Sequence, residues 1–185
     1  MTSALPPLPP LPQVLINRLP PATPPSVSKT FETSKERARA TLLEEPGVRV
    51  PLSVRRHQAL VLDRVIDRLG YEPHGHRLYV LEIAGPCPRV KVGASRDVVR
   101  RIKEHIGEMN SCQHGVLDAH VTDALGNARA VSHAEAHAQR FMNRFFTPMT
   151  SREHFTDADF FQATVIATVA FGLSMNVQEP SGPPV

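Results

Sequence analysis

Between Arg77 and His105, two short apolar runs joined by a Gly/Pro turn give way to a helical repeat, and that succession constrains the fold more than any other stretch. Tyr79, Val80, Leu81 and Ile83 form a β-branched and aromatic run that ends at Gly85-Pro86-Cys87-Pro88. Val90 and Val92 flank Lys91 in a second run that stops at Gly93, so a short antiparallel hairpin is predicted. Ser95 is the expected helix cap, with Asp97 in the first turn where negative charge suits the positive helix end. At about 100° per residue, Val98, Val99, Ile102, Ile106 and Met109 share one arc and Arg100, Lys103 and Glu104 lie opposite. Arg101 and His105 fall at the margin of the apolar arc, where a side chain lies beside the sheet and still reaches outward. Their bland reading is an Asp97–Arg101 surface pair, worth roughly 0.2–0.5 kcal/mol, and a histidine that only packs.

The residues of this segment resemble a known family. R-L-Y (Arg77 to Tyr79), V-K-V-G (Val90 to Gly93) and A-S-R-D-V-V-R-R-I-K-E-H (Ala94 to His105) are similar to the GIY-YIG nuclease superfamily, in particular its short bacterial and phage branch. Arg101 follows Gly93 by eight positions and His105 by four more, which is the superfamily's glycine-arginine-histidine spacing. The likeness spans about residues 76–155. Arg77 replaces the glycine of the first motif, and Lys91 stands where the tyrosine of the second would be. The resemblance implies that Tyr79 orients or deprotonates a water, Arg101 faces the phosphate, His105 assists proton transfer, and a downstream glutamate holds Mg²⁺ or Mn²⁺. Phosphodiester hydrolysis asks for those functions: an activated water, stabilised charge on the phosphoryl oxygens, and a protonated leaving oxygen.

The glutamate has two readings. A third strand is predicted over Val116 to Thr122, followed by a helix from about Ser132 to Phe146 whose apolar stripe is Ala134, Ala138, Phe141, Met142 and Phe145. Ser132-His133-Ala134-Glu135 fits a capping box, in which Glu135 satisfies the helix's own first N–H group; otherwise Glu135 is the metal ligand. Anchoring the family pattern on Arg144-Phe145 and on Arg152 to Phe155 places the usual glutamate at Ala138. His133 and His137, completed by Cys112 or His114, are a zinc alternative, although their spacing matches no established zinc pattern.

The remainder of the chain bounds the answer. Pro6, Pro7, Pro9, Pro10, Pro12, Pro20, Pro21, Pro24 and Pro25 crowd the start, so residues 1–30 are expected to be a disordered or polyproline arm. Within it, Arg18 to Pro24 fits a PxxP docking motif and so offers a protein partner. Residues 31–75 read as a helical extension: Ser34 to Leu43 as an exposed or partly disordered stretch, and Ser53 to Leu69 as a helix with Leu62, Val65, Ile66 and Leu69 on one face. Residues 76–175 are the nuclease-like domain, closed by an apolar helix over Asp157 to Met175 that is too interrupted to span a membrane; residues 176–185 should fray.

The expected fold is therefore α+β, a small and mostly antiparallel three-stranded sheet flanked by helices behind the proline-rich arm. The expected function is that of a metal-dependent DNA endonuclease with Tyr79, Lys91, Arg101 and His105 at its site, Glu135 on the metal, and Arg96, Arg100 and Lys103 on the DNA. A catalytically inactive module that binds nucleic acid or a protein is the alternative. A net charge of +3 is only a mild bias toward nucleic acid. Two cysteines make no disulfide framework and no export segment opens the chain, so cytoplasm is the expected compartment.

Overall fold

The computed structural model describes residues 29–44, 49–71, 75–151 and 153–175. The proline-rich arm with its PxxP motif, Arg152 and the final residues lie outside the described residues. In chain order the elements are α1 (Lys29–Glu44), α2 (Leu52–Leu69), β1 (Arg77–Ala84), β2 (Arg89–Ser95), α3 (Val98–Ser111), β3 (Gly115–Val121), α4 (Ala128–Phe145), β4 (Thr147–Pro148), β5 (His154–Thr156) and α5 (Phe160–Ser174). The chain is thus α+β, with an antiparallel sheet in the order β3-β1-β2-β5-β4.

That sheet has five strands where three were expected. The additional pair, β4 and β5, spans two and three residues, too short for a period-two pattern to register in sequence. Its significance is positional, because β5 pairs Phe155 with Val90 and His154 with Lys91 and so brings residues 153 and 154 to the edge of β2.

Alternation along the strands divides the core. On one face Leu78, Val80, Val90 and Val92 pack with Ala130, Ala134, Ala138 and Met142 of α4 and with Ala163, Ala167 and Ala170 of α5. The alanines explain why α5 sits so close, since they leave almost no side chain between the helices. On the opposite face Tyr79, Leu81 and Ile83 meet Val61 and Val65 of α2 and Val98, Val99, Ile102 and Met109 of α3. The β1–β2 turn requires glycine at position 85, where φ is +133° and an added Cβ would stand 2.8 Å from the Gln113 carbonyl.

Several boundaries differ from expectation for identifiable reasons. The stretch expected to be exposed or partly disordered is part of α1, which buries Phe31, Ala38 and Leu42. The cap of α3 is Asp97, whose side chain accepts the Arg100 N–H, while Ser95 Oγ accepts the Asp97 N–H at 3.0 Å. Helix α4 begins a turn early, at Ala128, because Asn127 caps it by accepting the Ala130 N–H at 2.8 Å. Ser132 is therefore inside the helix, and Glu135 is not part of a capping box. Among the described residues no helix is long and apolar enough to cross a membrane.

Candidate active site

Tyr79 and Gly93 are direct partners across β1 and β2. The pairing makes room for the aromatic ring: a Cβ built on Gly93 would lie 2.5 Å from the Tyr79 hydroxyl oxygen and 2.7 Å from Cζ. The tyrosine thus lies over a bare stretch of backbone and points at α3, where its Oη is 2.9 Å from His105 Nε2. His105 Nδ1 is in turn 2.9 Å from Glu108 Oε2, one helical turn further on. A carboxylate can only accept, so Nδ1 carries the proton, Nε2 is the free lone pair, and the Tyr79 hydroxyl donates to it. Phenol, imidazole and carboxylate form a directed chain from the sheet to the surface.

Electrostatics tie further residues to this chain. Burial pushes the Tyr79 hydroxyl up to about 12, the neighbouring Arg101 guanidinium pulls the other way, and the charges of Glu153 and Glu135 add to the rise. Burial holds His105 below the ordinary histidine value, with Lys91 and Arg101 reinforcing it and Glu108 opposing, so the ring is neutral near pH 7. Lys91, 3 % exposed, bonds to Glu153. That bond lowers the Glu153 pKa. His154, opposite Lys91, accepts from Arg89 Nε at 3.0 Å. Burial first, then Lys91 and Arg89, force the His154 pKa down to about 4.

Glu135 approaches from α4 and is half-buried. Burial, followed by the Glu153 carboxylate, raises its pKa, while the Ala94 backbone N–H and Lys91 act to lower it. The influence of the Ala94 N–H on its carboxyl puts Glu135 near the part of the β2 edge that β5, pairing only at Val90 and Lys91, leaves uncovered. Ala138, the register expected for the glutamate, is fully buried in the alanine-rich core, where a carboxylate would face only apolar groups.

The site residues expected from sequence therefore separate into two sets. Tyr79, Lys91, Arg101, His105 and Glu135 act on one another electrostatically. Of the expected DNA contacts, Arg96 and Lys103 are exposed on the α3 side, whereas Arg100 is engaged by Asp97 and Glu104. Arg101 does not pair with Asp97 but with Glu104, at 2.9 Å, which raises its pKa. Glu108, Glu153 and His154 were missed, although the Arg152 to Phe155 motif contained two of them. His114, a zinc candidate, has both ring nitrogens occupied, by the Cys87 N–H at 3.2 Å and the Cys112 carbonyl at 2.7 Å.

Among the described residues no group of three or more His, Cys, Asp or Glu side chains is arranged to hold a metal ion. Mg²⁺ does not require one, since it keeps several waters and is typically bound through one or two carboxylates plus substrate phosphate. Glu135 fits that role: a half-buried carboxylate, raised by desolvation and by a second carboxylate, is relieved by a cation. No protein-family model, curated protein or solved structure matches this chain.

Proposed function

We propose that this protein is a metal-dependent endonuclease that hydrolyses DNA phosphodiester bonds by single-site nicking or cleavage, in the manner of the GIY-YIG nucleases its motifs resemble. The observation that carries the reading is the Tyr79–His105–Glu108 chain, with the Arg101 guanidinium near enough to pull down the pKa of the same hydroxyl. A phenol raised to about 12 is a poor phenolate at neutral pH, so Tyr79 acts as a conduit. Its oxygen accepts a proton from the attacking water while its own proton passes to His105 Nε2, and Glu108 stabilises the imidazolium that forms. Arg101 presents a planar fork to the phosphoryl oxygens, a geometry lysine does not reproduce. Lys91 holds Glu153 in place. Mg²⁺ or Mn²⁺ held by Glu135 would supply charge neutralisation at the phosphate and leaving oxygens.

The test is nicking of supercoiled plasmid with Mg²⁺ or Mn²⁺. Arg101→Ala should reduce the rate roughly 10²–10³-fold, by analogy with loss of an oxyanion donor. Glu135→Gln should abolish the response to metal. A second reading, a catalytically inactive DNA- or protein-binding module, is favoured by the burial of Tyr79 and His105, which are 2 % and 3 % exposed. Salt-sensitive binding with no nicking by the intact chain would select that module.

A further inference from the structure

We propose that the outward face of α4 is a separate docking surface for the phosphate backbone of duplex DNA, formed by Arg129, Arg140 and Arg144 with His133 and His137; the partner class rests on the reading above. At about 100° per residue these five side chains occupy roughly 80° of arc on one helix. The single acidic residue of α4, Glu135, lies roughly 160° from the middle of that arc. Arg129 and Arg144 are exposed, and Arg140, His133 and His137 are half-buried.

Their grouping on one helix face, and not pairing alone, sets these arginines apart, since Arg37, Arg49, Arg55, Arg56, Arg77, Arg89 and Arg96 also meet no carboxylate among the described residues. Arg39, Arg64, Arg68, Arg100 and Arg101 each meet a carboxylate. Among the described residues Arg129, Arg140 and Arg144 meet none. Arg129 moreover sits in the first turn of α4, where the helix dipole disfavours a cation by about 0.3–1 kcal/mol, so helix stability does not account for it. Burial first, then Arg140 and His133, hold His137 below its ordinary pKa, so its ring lines the stripe in the neutral form and the positive charge comes from the three arginines.

Dimensions and composition favour DNA as the occupant. From Arg129 to Arg144 the helix rises about 22 Å, against about 3.4 Å of axis per phosphate on one strand, so the stripe can follow some six phosphates. Ser132, Ala136 and Asn143 border one side of the arc; on the other Phe141 is buried, and the exposed Phe145 stands roughly 80° beyond the arc's edge, a single apolar side chain where a lipid layer would ask for a face of them. Because the stripe and Glu135 point to opposite sides of α4, the stripe holds duplex away from the scissile phosphate. It contributes affinity without directing the cut.

The test is fluorescence anisotropy of the full chain with a labelled duplex, without divalent metal, across a salt series. Arg129→Gln/Arg140→Gln/Arg144→Gln should flatten the slope of log affinity against log salt by roughly 0.9 per arginine, about 2.7 in all. In nicking assays the same variant should raise KM and leave kcat unchanged. Arg129→Gln and Arg144→Gln alone, each at an exposed position, supply the same reading should the triple variant not fold. An unchanged slope, absent duplex binding, or loss of binding only to phosphatidylserine vesicles would overturn the proposal. Anisotropy is read without turnover, so failure of the nuclease reading shows separately, as intact binding with no Arg101-dependent nicking.

Discussion

Two part-buried clusters of charge lie on the same sheet and are put together in opposite ways. Toward the β3 edge, Lys35, Arg39 and Arg64 meet Glu82 and Asp118, with Lys35 Nζ 2.7 Å from Glu82 and 2.8 Å from Asp118. Burial acts to lower the Lys35 pKa, but Asp118 and Glu82 outweigh it and hold the ammonium above the ordinary lysine value. The Lys35 ammonium keeps its charge because its neighbours are of opposite sign. Around Tyr79 the shifts are divided: the phenol and Glu135 are driven up and His105 and His154 down, toward neutral forms, while Lys91 and Glu104 hold Glu153 and Arg101 in their charged forms. The first cluster is complete in itself and ties α1 to the sheet. In the second, a substrate phosphate and a cation would supply the missing charge, which is the arrangement expected of a site and not of a brace.

The sharpest way to break this contrast is to remove one cation from the closed cluster. Glu82 and Asp118 are direct cross-strand partners, so Lys35→Met leaves two carboxylates facing each other over β1 and β3. Breaking a buried pair costs about 3–5 kcal/mol, and the lower end applies because Arg39 and Arg64 remain. Urea denaturation should show a loss of about 3 kcal/mol, with nicking per folded molecule unchanged. The opposite pattern, normal stability with lost nicking, would mean that the closed cluster belongs to the site. Arg101→Ala is the complementary change, and its effect should fall on rate alone.

A smaller effect is expected where space, not charge, sets the site. Gly93→Ala places a methyl group within 2.7 Å of Tyr79 Cζ as well as against its hydroxyl, so the ring must move away from His105. Overpacking of this kind costs about 1–3 kcal/mol. Nicking should fall further than the loss of folded protein accounts for, because the Tyr79–His105 bond is lost along with the packing. Equal losses in denaturation and activity would reduce Gly93 to a packing residue.

What was legible in the sequence followed the range of the interaction. The hairpin and α3 are local, and a change of hydrophobic period exposes them. Residues Tyr79 and His105 converge because a strand and the helix after the hairpin pack in sequence order. The pairing of β2 with β5 joins Lys91 to His154, and no local pattern encodes it, so Glu153 and His154 remained hidden. Helix α1 looked solvent-exposed because Lys35, one of its inward-facing residues, is charged and its partners Glu82 and Asp118 lie on distant strands. Glu135 was ambiguous for two reasons: Ser132 resembled a cap only while the helix start at Asn127 was unknown, and the family register pointed to Ala138, which the structure buries in the core.

The smallest of these effects is also the most specific to the proton path. Glu108 is three residues beyond His105 and acts to raise its pKa, against the larger lowering by burial. The proposed proton path needs His105 neutral, so activity should rise with pH through a midpoint below the ordinary histidine value of about 6.5. Glu108→Gln keeps an acceptor for the Nδ1 proton and removes the charge. The His105 pKa then falls further and the acid limb of the profile moves to lower pH. Glu108→Ala removes the acceptor as well; a hydrogen bond to a charged group is worth about 1.5–3 kcal/mol, so a plateau loss of roughly tenfold is expected even if only part of it is realised in the transition state. A residue that merely braces the end of α3 would lower stability in both variants and leave the limb where it was. Movement of the limb to higher pH in Glu108→Gln would reverse the assigned electrostatics and return His105 to packing.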